Sequence, residues 1–199
     1  MKNILLLSII LVISFSVTAQ SGLDVKGYYG VSGASANWKE NLDGASSVGI
    51  ENLMEVGVLF SKSISEKFSL TGGLNYSFAN VEVSPVYCFD CYPAQTSYSH
   101  NPDFKMLSIP VYTEYALGKI FYAAAGPILD FQLSEGNNFS DQSGVGYLVG
   151  LGTKVNTDKF IFSLFPNYKR HNVIPFEKEG NYKQILQELG VQLSVGYQF

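Results

Sequence analysis

The chain has 199 residues, of which 46% are hydrophobic, 14% are aromatic and only 15% are charged. An ordinary soluble domain is about 25% charged, so this composition excludes a disordered chain and is apolar for a soluble one. The formal net charge is −4 and no run of Lys or Arg is present, whereas nucleic-acid binding needs such a run to neutralise phosphates. We therefore expect no nucleic-acid partner.

The N-terminal segment has the parts of a secretory signal peptide. A lysine precedes an apolar run over 4–17, which ends in small residues suited to cleavage after Ala19. The run is about 14 residues long, short of the roughly 20 that a membrane-spanning helix needs. We predict that residues 1–19 are a cleaved signal peptide and that residues 20–199 form one exported domain.

Two segments of that domain alternate strictly between apolar and polar residues, Phe68–Ala79 and Glu188–Phe199. A period of two places one set of residues on each face of a β-strand. Weaker alternation predicts six further strands. They are Val25–Ala36, Val48–Lys62, Met106–Leu117, Ile120–Phe131, Ser143–Val155 and Phe160–Tyr168.

The connections between these eight predicted strands alternate in length. The short ones are 63–67, 118–119 and 156–159, and the long ones are 37–47, 80–105, 132–142 and 169–187. In an antiparallel meander, all short turns lie at one end and all long loops lie at the other. The pattern predicts an all-β protein, an eight-stranded antiparallel up-and-down barrel.

The polar faces distinguish a soluble barrel from a transmembrane one. A soluble exterior would carry many charged residues, but these faces are mainly Gly, Ser, Thr, Asn and Gln, with bulk at Tyr28, Tyr112 and Tyr122. Small residues suit the crowded interior of an eight-stranded barrel. We therefore predict a transmembrane barrel with its polar face inside and its apolar face towards lipid.

Aromatic residues mark the ends of the apolar faces, and aliphatic residues fill the middle. This order is typical of the two aromatic girdles of a bilayer-spanning barrel. At the short-turn end the aromatics are Phe60, Phe68, Tyr115, Phe121, Phe160, Tyr197 and Phe199, and at the long-loop end they include Tyr76 and Phe78.

Four segments, together with the signal peptide, carry a family resemblance. They are 107–111 (LSIPV), 124–127 (AAGP), 149–152 (VGLG) and 196–199 (GYQF). In this combination the chain resembles the PorT-like outer-membrane β-barrel family of Gram-negative bacteria. The resemblance implies that the terminal aromatics Tyr197 and Phe199 belong to the signal read by the barrel-insertion machinery. It also implies a location in the outer membrane, and some members of the family serve protein secretion or gliding.

Two prolines depart from ideal strands. Pro110 and Pro127 lie inside predicted strands of a closed barrel, where no free edge is available and proline removes a hydrogen-bond donor. We therefore predict a β-bulge at each of them.

Cys88 and Cys91 form Cys-Phe-Asp-Cys in the longest predicted loop. The favoured interpretation is a local disulfide formed in the oxidising cell envelope. Free thiols and a metal site stay open as alternatives, although a metal site would need two further ligands and only His100 and Asp103 follow nearby. We expect no metal and no cofactor.

A catalytic site could use His100 or His171, both predicted on long loops, with Ser97, Ser99 or Asp103 near the first. Nothing in the sequence fixes a nucleophile against a base. We expect no enzymatic activity, and a lipid-modifying or proteolytic site at the outer rim is the least favoured alternative.

Four charged residues fall on the predicted interior face, Lys26, Glu55, Glu114 and Lys154. Lys26, Glu114 and Lys154 come to a similar depth near the short turns, where their opposite charges are expected to pair across the lumen. Because the interior of an eight-stranded barrel is just filled by its own side chains, a paired plug is favoured over a diffusion channel.

The sequence therefore predicts a non-enzymatic integral outer-membrane barrel that acts through its exposed loops or as a structural or assembly component, with a secretion role in view. A narrow porin-like channel is the alternative. The expected partners are outer-membrane lipid, the barrel-insertion machinery, and a surface ligand or secretion partner at the long loops. No residue pattern identifies that ligand.

Overall fold

The computed structural model describes residues 22–38, 47–84, 103–134, 140–177 and 183–199. The predicted signal peptide, Cys88, Cys91 and His100 lie outside the described residues. Within the described ranges, no helix is long and apolar enough to cross a membrane.

Eight β-strands form one closed sheet. Each strand runs antiparallel to its neighbours, and β1 pairs with β8 to complete the ring. The prediction of an all-β, eight-stranded antiparallel up-and-down barrel is confirmed. The strands are β1 (Leu23–Trp38), β2 (Ser47–Ser63), β3 (Phe68–Ser84), β4 (Asp103–Ala116), β5 (Phe121–Gln132), β6 (Gly144–Thr157), β7 (Phe160–Pro175) and β8 (Gln184–Gln198).

The strands extend further than predicted at the long-loop end. Residues 169–187 were expected to be a loop, but β7 continues to Pro175 and β8 begins at Gln184, so that prediction is wrong. The alternation is hidden there because the inward residues of β7 are charged. It is also broken by a register shift in the β6–β7 pair, near Asn172, whose φ is 47°.

Inward and outward faces differ sharply in exposure. Val56 and Val58 point outward and are 42% and 44% exposed, whereas the adjacent inward residue Glu55 is 1% exposed. The inward parity of β6 is rich in glycine, at Gly144, Gly146, Gly150 and Gly152. The barrel is therefore polar inside and apolar outside.

The stagger of the strands fixes the width of the barrel. A path along paired residues from Leu23 returns to β1 at Gly33, ten residues further along the strand. The path passes in turn through Lys62, Leu70, Thr113, Ala125, Val149, Tyr168 and Leu189. Eight strands with this stagger tilt by about 35–45° and enclose an interior just wide enough for side chains.

The predicted bulges at Pro110 and Pro127 are wrong. The β3–β4 ladder is interrupted between Gly72 and Asn75, opposite Pro110, and the β4–β5 ladder is interrupted between Pro110 and Thr113, opposite Pro127. Both ladders resume in the same register, because the missing N–H groups remove bonds without inserting a residue. The register shifts lie instead in the β1–β2, β2–β3 and β6–β7 pairs.

Aromatic side chains pair at both ends of the apolar outer surface. The short-turn ring contains the pairs Phe68–Tyr115 and Phe160–Tyr197, whose ring centroids are 4.9 and 5.9 Å apart. The long-loop ring contains the pairs Tyr76–Phe78 and Tyr147–Tyr168, whose centroids are 6.0 and 6.3 Å apart. Aliphatic residues occupy the outer wall between the two rings.

Gly126 of β5 has no room for a side chain. A Cβ atom there would clash with the carbonyl oxygen of Val111 and with Cα of Tyr112, whereas a Cβ at Gly27 of β1 would meet nothing within 4 Å. We expect Gly126→Ala to lower the free energy of unfolding by about 1–3 kcal/mol through overpacking. Urea unfolding in lipid vesicles measures this. The matched control Gly27→Ala should leave the midpoint unchanged, and equal effects of the two substitutions would contradict the packing.

Candidate functional site

The barrel interior is the most highly organised polar region of the described residues. Its side chains form four layers along the barrel axis. From the short turns to the long loops these are a lower charge layer, an aromatic layer, an upper charge layer and an apolar cap.

The lower charge layer brings together the three charges that were predicted to meet. Lys26 Nζ lies 3.1 Å from Glu114 Oε1, and Lys154 Nζ lies 3.4 Å from Glu114 Oε2. Thr71 donates a further hydrogen bond to Glu114 at 2.9 Å. Lys26 and Glu114 are buried, while the Lys154 side chain is 23% exposed towards the short turns. The sequence analysis missed Asp24, which is buried at the same end.

The aromatic layer closes the lumen above these charges. Phe165 stacks against Tyr112 and Tyr122, with ring centroids 6.1 and 5.6 Å apart. The layer is completed by Tyr28, Leu59, Ala124, Ile128 and Leu148. The three interior tyrosines that stood out in the sequence all belong to it.

The upper charge layer is centred on two cations of β7. Lys169 Nζ lies 2.5 Å from Glu55 Oε2 and 3.2 Å from Glu188 Oε2. His171 Nδ1 lies 2.8 Å from Asp130 Oδ2, and its Nε2 lies 2.9 Å from Glu188 Oε1. All five side chains are at most 4% exposed, so the three carboxylates depend on the two cations and not on bulk water for stabilisation.

Neutral side chains donate further hydrogen bonds to the carboxylates of this layer. Ser108 donates to Asp130 at 2.6 Å, and Asn75 and Gln192 donate to Glu55 at 2.9 and 3.0 Å. Ser32 donates to Glu188 at 3.3 Å. Together with the charged residues, these contacts link every strand except β6, which places glycines on its inward face.

His171 does not lie where the sequence analysis placed it. It was expected on a long loop, but it is an inward residue of β7 and 1% exposed. The nearby hydroxyl of Ser108 donates to Asp130 and not to the imidazole. Ser97, Ser99 and His100 lie outside the described residues, and Asp103 is the first residue of β4, exposed on its outer surface.

An apolar cap closes the interior at the long-loop end. It consists of Ala36, Ile50, Leu53, Val81, Phe104, Met106 and Leu186. Between the aromatic and upper charge layers, a cavity of about 10 Å³ remains, bordered by Asn75, Lys169 and His171 among others. A space of this size holds about one water molecule. In the described part of the barrel, the layers therefore leave no continuous water path.

The chain terminus closes the seam between β8 and β1. The backbone N–H of Phe199 donates to the carbonyl oxygen of Leu23 at 3.0 Å. The Phe199 ring lies 5.0 Å from that of Tyr197 and is 54% exposed on the outer surface. Both predicted assembly residues thus face outward at the short-turn end.

Most of the upper charge layer was missed by sequence reasoning, although a signal was present. Asp130 and Glu188 fall on the inward parity of predicted strands, and two more buried acids beside Glu55 require nearby cations. Lys169 and His171, two residues apart, are the matching cations on one face of a strand. They were overlooked because the segment 169–187 had been assigned to a loop.

Comparison with known proteins adds information on the fold. No protein-family model and no curated protein sequence matches the chain. The solid-state NMR structure of the outer membrane protein AlkL is similar at 11% identity, with a TM-score of 0.54 and 92% of each chain covered. The crystal structure of Ail of Yersinia pestis aligns at 12% identity and a TM-score of 0.48, covering 90% of this chain and 100% of Ail.

Neisserial surface protein A aligns at 18% identity and a TM-score of 0.49, covering 90% of this chain and 98% of that protein. Of these three structures, AlkL has the highest TM-score. At 11% identity, this likeness shows the fold alone, which is that of an outer-membrane β-barrel.

The lower charge layer predicts an asymmetry between removing one charge and removing all three. Glu114→Ala leaves Lys26 buried without its acid, and such a loss commonly costs about 3–5 kcal/mol. The triple variant Lys26→Met, Glu114→Leu, Lys154→Met should recover part of this stability. Chemical unfolding of the refolded barrel in lipid vesicles measures both.

The exposed pair Lys105–Asp103 supplies the matched control. Its atoms are 3.3 Å apart, but the two side chains are 47% and 68% exposed, so Asp103→Ala should change stability by about 0–1 kcal/mol. A Glu114→Ala effect as small as that of Asp103→Ala would show that the lower layer is solvated and contributes little.

Proposed function

We propose that this chain is a non-enzymatic integral protein of the outer membrane that acts through its long-loop end, as a surface binder or as a structural or assembly component. One observation carries the proposal. The outer wall is apolar between two aromatic rings, and the interior is filled by side chains that pair or pack with one another. A wall of this kind suits lipid, and a filled interior leaves the outer end as the place for interaction.

The height of the apolar wall supports the membrane location. On β3 the two rings are marked by Phe68 and by Tyr76 with Phe78, eight to ten residues apart. At about 3.3 Å per residue and a tilt of about 40°, these residues span roughly 20–25 Å along the barrel axis. Outer-membrane barrels carry an apolar band about 25 Å tall.

The filled interior favours this function over a narrow porin-like channel. A channel needs polar groups that line continuous water, but here Tyr112, Tyr122 and Phe165 separate the two charge layers. The charges of each layer also bind one another at 2.5–3.4 Å and not a permeating ion.

Family membership, the signal peptide and the loop disulfide are supported by the sequence alone. The segments 107–111, 124–127, 149–152 and 196–199 support membership of the PorT-like family, and with it insertion by the barrel-insertion machinery and a role related to secretion. The N-terminal pattern supports a cleaved signal peptide. The predicted disulfide between Cys88 and Cys91 would stabilise the longest loop, where a surface ligand or secretion partner is expected to bind.

The membrane proposal predicts both fractionation and conductance. The protein should be recovered with the outer membrane and should migrate faster on gels before heating than after it, as folded barrels do. In planar lipid bilayers the folded protein should show no steady single-channel conductance, because the aromatic layer blocks the lumen. Recovery as a soluble periplasmic protein would overturn the location, and stable channels from folded protein would overturn the closed interior.

The terminal aromatic predicts a separate effect on assembly. Phe199→Ser removes a ring that is half exposed and packs on Tyr197, so its loss of packing alone should be modest. If the ring is read by the insertion machinery, the variant should accumulate in the periplasm and be degraded. Pulse-chase fractionation measures this. Phe160→Ser, which alters the same short-turn ring away from the terminus, is the control and should assemble better than Phe199→Ser.

A further inference from the structure

The outer surface of the β2–β4 wall carries a groove at its long-loop end. The groove has a volume of about 430 Å³. Its side chains belong to three strands and mix apolar, amide and charged groups. They are Asn52, Met54, Phe78, Asn80, Asp103 and Lys105.

A β-bulge in β2 produces this groove. The β2–β3 register shifts between Glu51 and Met54, where Asn52 and Leu53 lie opposite the single residue Ala79. Asn52 has a φ of 50°, a left-handed conformation that asparagine tolerates better than most residues. Leu53 turns into the apolar cap while Asn52 stays exposed. The bulge thus separates the two strands locally and re-aims their side chains.

The groove changes from apolar to polar along the barrel axis. Met54 pairs with Phe78, which in turn pairs with Lys105, at the level of the long-loop ring. One step further out, Asn80 pairs with Asp103. The apolar floor therefore faces the lipid band. Lys105 starts level with this floor, and the carboxylate and the amides lie above it, towards the long loops.

We propose that this groove binds a phosphate-bearing glycolipid of the outer leaflet, a proposal that rests on the membrane location argued above. Lys105 Nζ is 3.3 Å from Asp103 Oδ2 in an exposed pair, which contributes little by itself and exchanges readily for a lipid phosphate. Asp103, Asn80 and Asn52 then hydrogen-bond sugar hydroxyls. Met54 and Phe78 contact an acyl chain that descends along the wall.

The orientation of the groove favours a lipid over a protein or a free phosphate ion. An amphipathic lipid in the outer leaflet presents its acyl chains towards the band and its headgroup away from it, as the groove requires. A free phosphate ion would use only Lys105 and would gain nothing from the apolar floor. A protein partner would have to enter from above and would not need the floor to continue into the lipid band.

Lipid retention by the folded protein tests the proposal. The purified full-length protein is refolded in detergent, incubated with lipid A, and released from detergent for native mass spectrometry. The wild type should retain lipid A and should retain dephosphorylated lipid A much less. Lys105→Ala should weaken retention of lipid A about tenfold, since a charge-assisted hydrogen bond to phosphate is lost.

Two further variants separate a specific groove from general attraction of charge. Asn80→Trp fills the groove without changing its charge and should also weaken retention. Arg170 lies opposite Tyr147 in the β6–β7 register, at the level of the long-loop aromatic ring but on the far side of the barrel. Arg170→Ala should therefore leave lipid A retention unchanged. Heat-dependent gel migration checks that every variant is folded. Equal losses for Lys105→Ala and Arg170→Ala, or equal retention of dephosphorylated lipid A, overturn the proposal.

The two proposals fail in different ways. If the wild-type protein fractionates with the outer membrane but retains no lipid A, the groove proposal is wrong and the membrane location still holds. A protein recovered in soluble form overturns both.

Discussion

The narrow interior of the barrel is the constraint on which the rest of the structure depends. A stagger of ten residues over eight strands leaves room for side chains but not for a water-filled channel. Most inward charged groups therefore contact an opposite charge on another strand, because burying an unpaired charge is costly. Glu188 shows the consequence, since it contacts Lys169 and His171 and also accepts a hydrogen bond from Ser32.

This constraint also explains the order of the layers. Between the two charge layers, the rings of Tyr112, Tyr122 and Phe165 stack on one another. The ion pairs of one charge layer involve no residue of the other layer. The outer wall contributes in a different way, because its exposed aliphatic surface is favourable only in contact with lipid, and the same surface in water would be an aggregation hazard. The interior contacts therefore hold the strands together, and the apolar exterior requires contact with lipid.

The sequence predicted the barrel well because period-two alternation depends on few interactions. Wherever one face meets lipid and the other a small-residue lumen, as in Phe68–Ala79, the pattern is visible in the residues alone. The lower charge layer could be predicted for the same reason, because the alternation places Lys26, Glu114 and Lys154 on the inward faces of their strands.

The rest required three-dimensional information. Lys169 and His171 resemble loop residues in the sequence, because two inward charges in one strand are rare unless opposite charges lie across the lumen. Those opposite charges belong to β2, β5 and β8, which are distant in the sequence. The effects of proline were also misjudged. A proline that is paired on both sides can either cause a β-bulge or simply remove hydrogen bonds without a shift in register. The sequence does not show which of these two outcomes occurs in a closed barrel.

The irregularities of the barrel lie towards its long-loop end. All three register shifts lie in the outer halves of their strands, in the β1–β2 pair at Ser32 to Ala34, in the β2–β3 pair at Glu51 to Met54 and in the β6–β7 pair near Val145. The two non-glycine residues with positive φ, among those described, are Asn52 and Asn172, and both lie at such shifts. Bulges bend strands and re-aim side chains, and they are common at barrel rims and beside functional sites. Among the described residues, the short-turn half of the barrel has no register shift. The long-loop half departs from regularity where the outer wall leaves its apolar band, and the groove proposed to bind a glycolipid lies at one of these departures, the bulge at Asn52.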